Sequence, residues 1–148
     1  MAKLAIVYFS GSGNTEKMAN LIAEGAKKAG ADVQTVKASS SMDVAKIAQA
    51  DAFALGSPDY FSYVAGELKI FFDRAYAQSM PMKDKPYVAF GSHGGGGQVV
   101  KCIDKLAQSL KMKQAAEGVL VQGAPTTAAD VDACKKLGEA VAAAAMKK

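Results

Sequence analysis

The sequence predicts an α/β fold in three layers: a five-stranded parallel sheet in the order 2-1-3-4-5, covered by helices on both faces. Two observations lead there. Strand-like and helix-like patterns alternate along all 148 residues, with no internal repeat and no linker, and such alternation builds a parallel sheet through βαβ crossovers. Several strand candidates are apolar throughout, as strands buried on both faces are. Right-handed crossovers leave few arrangements. For five strands the common open order is 2-1-3-4-5, with a switch point between strands 1 and 3.

The strand candidates are 3–9, 32–37, 52–56, 86–91 and 116–122. Between them lie helical stripes. The first carries Met18, Leu21, Ile22, Gly25 and Ala29 at spacings of three and four, and a weaker one covers about 43–50. The third joins Leu68, Phe71, Phe72, Ala75 and Tyr76 in one apolar stripe, with Lys69, Asp73 and Arg74 away from it. Val99, Ile103, Leu106 and Leu110 form the fourth, and Val131, Cys134, Leu137, Val141 and Ala145 the last. The aromatic and methionine residues of these stripes read as core.

Composition bounds the function. The chain reads as one domain, 1–148, with half its residues hydrophobic and 22% charged, ordinary for a soluble globular protein. No apolar run is long enough to span a bilayer. Met1-Ala2-Lys3 leads straight into a strand with no signal-peptide layout, so a cytoplasmic protein without membrane association is expected. Cys102 and Cys134 lack metal-like spacing and read as reduced residues of helices. No metal-ligand cluster and no Ser-His-Asp or Cys-His set stands out. The net charge is +4, which suits an acidic partner. The lysines are scattered, however: Lys27-Lys28, Lys83, Lys85, Lys111, Lys113, Lys135-Lys136 and Lys147-Lys148, mostly at expected helix ends, and the only arginine is Arg74. Without a basic stripe, nucleic-acid binding is not expected.

Ligands of such sheets bind beyond the carboxyl ends of the strands at the switch point. Loops 10–15, 57–63 and 92–97 are therefore the ones to read. The first, Ser10-Gly11-Ser12-Gly13-Asn14-Thr15, joins a strand to a helix. Its glycines let several N–H groups point inward at the helix N-terminus, and its short polar side chains add donors, which suits a phosphate monoester. It is not a P-loop, which needs G-x-x-x-x-G-K-[ST]. Nor is it a dinucleotide fingerprint: Glu16 stands at the third glycine, and the second strand ends in Val36-Lys37 instead of an acid. The bland alternative is a turn that merely caps the first helix.

Loop 57–63, Ser57-Pro58-Asp59-Tyr60-Phe61-Ser62-Tyr63, offers flat apolar surface for a planar ring, unless its aromatics pack down as core. Loop 91–97, GSHGGGG, has four consecutive glycines, whose entropic cost close backbone approach to a flat ligand edge would repay. A mobile lid or a tolerated surface loop are the alternatives. His93, the only histidine, reads either as a solvated loop residue or as a donor to a ligand carbonyl or a substrate quinone. Together the loops suit a mononucleotide with a planar head, and FMN is the best single candidate.

At these residues the chain resembles the flavodoxin family, whose T/S-x-T/S-G-x-T phosphate loop is similar to Ser10–Thr15. Length, alternation and the absence of an insertion in the fifth strand resemble its short-chain members. The resemblance implies a flavodoxin-like fold and noncovalent FMN. Its phosphate would lie on Ser10, Gly11, Ser12, Gly13, Asn14 and Thr15, and its ring between Ser57, Pro58, Asp59, Tyr60 and Phe61 on one side and Ser92, His93, Gly94 and Gly95 on the other. It implies a cytoplasmic electron carrier between protein partners, here partners with an acidic docking surface. Gly56-Ser57-Pro58, Phe61, Gly66-Glu67-Leu68-Lys69, Phe72-Asp73 and GGGGQ resemble instead the WrbA-type NAD(P)H:quinone reductases, in which His93 or Tyr60 would assist a substrate carbonyl. The chain departs from typical carriers in being basic, in lacking tryptophan, and in having no glycine in loop 57–63. Asp59 is the one acid expected near the flavin.

Overall fold

The computed structural model describes residues 1–147. Its strands are β1 (Lys3–Tyr8), β2 (Asp32–Lys37), β3 (Ala52–Pro58), β4 (Pro86–His93), β5 (Lys113–Gln114) and β6 (Val119–Gln122). The helices are α1 (Asn14–Lys28), α2 (Val44–Ile47), α3 (Gly66–Ala77), α4 (Val99–Ser109) and α5 (Ala128–Met146). The sheet runs β2-β1-β3-β4-β5, with β6 also paired to β4, and these pairings are parallel. The predicted order and layering hold.

Period-two alternation sorts the side chains. Leu4, Ile6 and Tyr8 of β1, with Val88 and Phe90 of β4, pack under α1 and α5. Ala5 and Val7 of β1, Phe53 and Leu55 of β3, and Tyr87 and Ala89 of β4 pack under α2, α3 and α4. β2 is an edge strand, and only Val33 and Val36 of it are even half-buried.

Several expectations need correction. The fifth strand is not continuous over 116–122. Ala115 N–H still donates to the Tyr87 carbonyl at 2.8 Å, but the chain then leaves the ladder and rejoins it at Val119. The second helix is a single turn, capped by the Asp43 carboxylate on Lys46 N–H at 3.1 Å, and 3₁₀-like bonds close the chain to Ala50. Tyr76 is not core: the residue is 75% exposed, because it lies at the rim of the α3 stripe while Phe72 and Ala75 take the buried positions. Lys135 and Lys136 lie inside α5, where they pair with Glu24 and Asp132. Lys148 lies outside the described residues. β3 and β4 also run two residues further than their patterns suggest, carrying Ser57, Pro58, Ser92 and His93 into the sheet.

α1 and α5 touch backbone to backbone. A Cβ on Gly25 would collide with the Lys135 carbonyl, and one on Gly138 with the Ile22 carbonyl. Backbone cannot yield as a side-chain tip can, so Gly25→Ala and Gly138→Ala should each cost about 1–3 kcal/mol. Gly66→Ala is the control, since nothing lies within 4 Å of its added Cβ. Denaturant unfolding of the three variants checks this; equal stability for all three would mean that the helices do not approach so closely.

Both cysteines are free, Cys134 buried and Cys102 half-buried. Burial pushes the Cys134 thiol up to about 11. In the native protein at pH 8, Cys134 should therefore resist iodoacetamide until the chain is unfolded. Mass spectrometry of alkylated protein with and without urea reads this directly, and prompt labelling of Cys134 in the native state would contradict the packing.

Candidate functional site

The register sets the site. Tyr8 lies opposite Gly56, and Pro58 opposite Ser92, so the connections after β1, β3 and β4 leave the sheet side by side.

In the first connection Ser10 is buried, and its Oγ accepts from Gly13 N–H at 3.1 Å and Glu16 N–H at 3.2 Å. Gly13 turns the chain into α1 at φ 98°, a left-handed value that a side chain would strain. The N–H groups of Ser12, Asn14 and Thr15 find no acceptor among the described residues. Nor do the side chains of Ser12 and Asn14 make hydrogen bonds there. Thr15 is turned inward: its Oγ1 lies 2.8 Å from Ser92 Oγ, and both residues are buried. This pair ties α1 to β4 beneath the site. Glu16 is tied too, accepting from the Tyr8 hydroxyl at 2.8 Å. Burial, and then Glu16, push that phenol up to about 12.

The second connection is a small hairpin. Tyr60 and Tyr63 exchange backbone hydrogen bonds of 2.9 and 3.0 Å. Phe61 and Ser62 form its tip at φ 55° and 63°, the two left-handed positions of a primed turn. Asn-Gly is the usual pair there, and larger side chains cost about 1–2 kcal/mol each. Ser57 closes the base: its buried Oγ accepts from Ala65 N–H and donates to the Pro58 carbonyl, both at 2.8 Å. Pro58 is half-buried at the strand end. The Tyr60 ring meets Phe9 edge-on at 6.3 Å, and its hydroxyl lies over Gly11, where a Cβ would strike it. Phe61 is fully exposed. Asp59 does not point away from the protein. Its Oδ1 accepts from Ser62 N–H at 2.9 Å, and its Oδ2 from Gln98 N–H at 2.6 Å and Val99 N–H at 3.1 Å.

The third connection leaves β4 at His93. The His93 Nδ1 accepts from Gly96 N–H at 2.8 Å, so the neutral ring carries its proton on Nε2, which is left free to donate. Gln122 Nε2 donates to the Gly94 carbonyl at 3.1 Å. Gly94, Gly95 and Gly96 are exposed, with open space where side chains would stand.

All the residues singled out from the sequence thus gather at one end of the sheet. They divide by what their polar atoms do. The side chains of Ser10, Thr15, Ser57, Asp59 and Ser92 are bonded within the protein; those of Ser12 and Asn14, with the N–H groups around them, face outward. Sequence reasoning missed Tyr8, Glu16, Gln98, Val99 and Gln122, which brace the loops from elsewhere in the chain; nothing local in the sequence marks those pairings. A cavity of about 790 Å³ shares Phe9 with the site but otherwise lies between Lys37–Ser40 and the start of α3.

The flavodoxin family model matches residues 6–136. The chain belongs to the flavodoxin family. It is 30% identical to a flavodoxin of Aquifex aeolicus over 96% of this chain and 86% of that one. With a flavodoxin of Megasphaera elsdenii it shares 34% identity over 94% of this chain and 98% of that one. The solved structure of a flavodoxin from the domain Archaea superimposes with a TM-score of 0.88 at 29% identity, covering 97% and 98% of the two chains. An NAD(P)H dehydrogenase (quinone) of Caulobacter vibrioides matches only in part, 34% identical over 51% of this chain and 47% of that one.

The cofactor of the family is FMN, and the residues present fit it. Unpaired N–H groups at the start of a 15-residue helix suit a phosphate. Exposed Tyr60 and Phe61 and the open glycine backbone suit a planar ring. Ser12→Ala should weaken FMN by about tenfold or more, the loss of a hydrogen bond to a charged group, and leave riboflavin unchanged. Thr15→Ala should weaken both, because it also cuts the link to Ser92. Fluorescence titrations of both flavins check this; equal loss for both ligands in Ser12→Ala would count against phosphate reading by the loop.

Proposed function

We propose that this flavodoxin-family FMN protein is a cytoplasmic electron carrier between protein partners, built as one domain. When bound, FMN supplies the one- and two-electron chemistry, and the chain supplies binding and orientation. The observation that carries the reading is the set of unpaired N–H groups at Ser12, Asn14 and Thr15, placed at the switch point beside an exposed aromatic hairpin.

In this reading the backbone of Gly11 to Thr15 and the side chains of Ser12 and Asn14 hold the phosphate. Ser10 and Thr15 shape that cradle from below. Tyr60 or Phe61 covers one ring face, with Ser57, Pro58 and Asp59 fixing the hairpin that carries them. Ser92, His93, Gly94 and Gly95 line the pyrimidine edge. The net charge of +4 favours a redox partner with an acidic docking surface.

A second reading is an NAD(P)H-dependent FMN or quinone reductase of the WrbA type. The open space above Gly94 to Gly96 favours it, as room for a nicotinamide, with His93 Nε2–H as the donor to a substrate carbonyl.

An anaerobic titration of the FMN-loaded protein with NADPH and then NADH separates the two. A carrier keeps its visible flavin band until a separate reductase is added. Prompt bleaching by the nicotinamide alone would move the assignment to the reductase.

A further inference from the structure

We propose that Asp59 is a positioning residue: its carboxylate locks the aromatic hairpin to the start of α4, so that hairpin and glycine loop form one clamp. Its charge is held by α4 and is not directed at the flavin. The consequence for the flavin rests on the FMN reading above; the lock itself does not.

Three features of the structure carry this. Both carboxylate oxygens are engaged, one on the hairpin at Ser62 N–H and the other on Gln98 and Val99 N–H, so a single side chain bridges segments 39 and 40 residues apart. Each end needs what Asp59 provides. The hairpin tip holds Phe61 and Ser62 in left-handed conformations that neither side chain favours, and the bond to Ser62 offsets that strain. α4, 11 residues long, has no side-chain cap of its own and no acid in its first turn. Asp59 fills that place from another element, as an N-cap carboxylate does. Finally, Gln98 ends the glycine loop. His93 and Gln122 fix the loop's near half at Gly96 and Gly94; Asp59 fixes its far end and joins it to the opposite wall. The Cys102 thiol, donating to the Ser62 carbonyl at 3.5 Å, lies along the same seam.

A carboxylate on the N-terminus of a helix faces partial positive charge, and its field is offset there. Asp59 thus differs from an acid that stands free beside a flavin and raises the cost of reducing it. The two roles separate in Asp59→Asn and Asp59→Ala. Asparagine removes the charge and keeps an oxygen for Gln98 and Val99 N–H, but its amide nitrogen cannot accept from Ser62 N–H; alanine removes every bond.

The test is amide hydrogen exchange on the apo proteins, followed by FMN affinity and the two-electron midpoint potential of the loaded ones at pH 7. In Asp59→Ala the Ser62, Gln98 and Val99 amides should exchange about tenfold faster or more, and FMN should bind about tenfold more weakly, the loss of charge-assisted bonds. In Asp59→Asn the Ser62 amide alone should exchange faster, while the Gln98 and Val99 amides and the potential stay near wild type. Equal upward shifts of potential in both variants, with exchange unchanged, would overturn the proposal in favour of a direct charge effect. Wild-type exchange in Asp59→Ala would also overturn it. Should Asp59→Ala fail to fold, Asp59→Asn decides alone: an unshifted potential supports the lock, and a raised one refutes it. If the wild type takes up no FMN, the exchange data still judge the lock, and it is the FMN reading that fails.

Discussion

Two helices cannot approach more closely than their backbones allow, and α1 and α5 reach that limit at Gly25 and Gly138. Much of the site follows from this contact. α1 is held against α5 on one side and against Leu4, Ile6 and Tyr8 of β1 on the other. Its N-terminus therefore has one position relative to the sheet, and the N–H groups of Asn14 and Thr15 have one direction. Thr15 then completes the placement from the front, through the buried hydroxyl pair with Ser92 of β4. Donors made of backbone are only as well aimed as the helix behind them, and here packing at the back and a hydrogen bond at the front fix that helix.

The polar residues of the site serve two purposes, and the structure separates them. A polar side chain buried at the end of a sheet must find a partner or cost free energy. Ser10, Thr15, Ser57 and Ser92 all find theirs within the protein, and no buried side-chain nitrogen or oxygen among the described residues lacks one. The groups left free, Ser12, Asn14 and their neighbouring N–H donors, sit at the surface of the cradle where water can satisfy them until an anion does. This division explains why a loop so rich in hydroxyls can be both rigid and available.

The sheet order, the two core faces and the three loops of the site were legible in the sequence because each rests on local pattern. Apolar runs mark β1, β3 and β4, stripes mark α1, α4 and α5, and glycine-serine clusters mark the turns. The failures have a common cause. The split after Gln114, the exposure of Tyr76 and the outward extension of β3 and β4 are decided by neighbouring elements, which no window of the sequence contains. Asp59 is the sharpest case. Nothing in the sequence of its loop marks the partners its carboxylate finds, two N–H groups near residue 98 as well as one within its own turn. Only the pairing of β3 with β4, which sets Pro58 beside Ser92, brings α4 within reach.

That pairing also bears on the four glycines of the third loop. Such a run could serve motion or space. A lid would need few bonds to hold it closed, whereas this loop is held at His93, Gly94, Gly96 and Gln98 by partners from β6, from its own imidazole and from the hairpin. Its carbonyls and N–H groups are engaged at both ends, and what remains distinctive is the empty volume where side chains would project from Gly94, Gly95 and Gly96. The entropy lost in fixing these residues is offset by hydrogen bonds that do not use the outer face. In the proposed reading the glycines form a thin wall that would let a flat group come to backbone distance, braced from behind by these bonds.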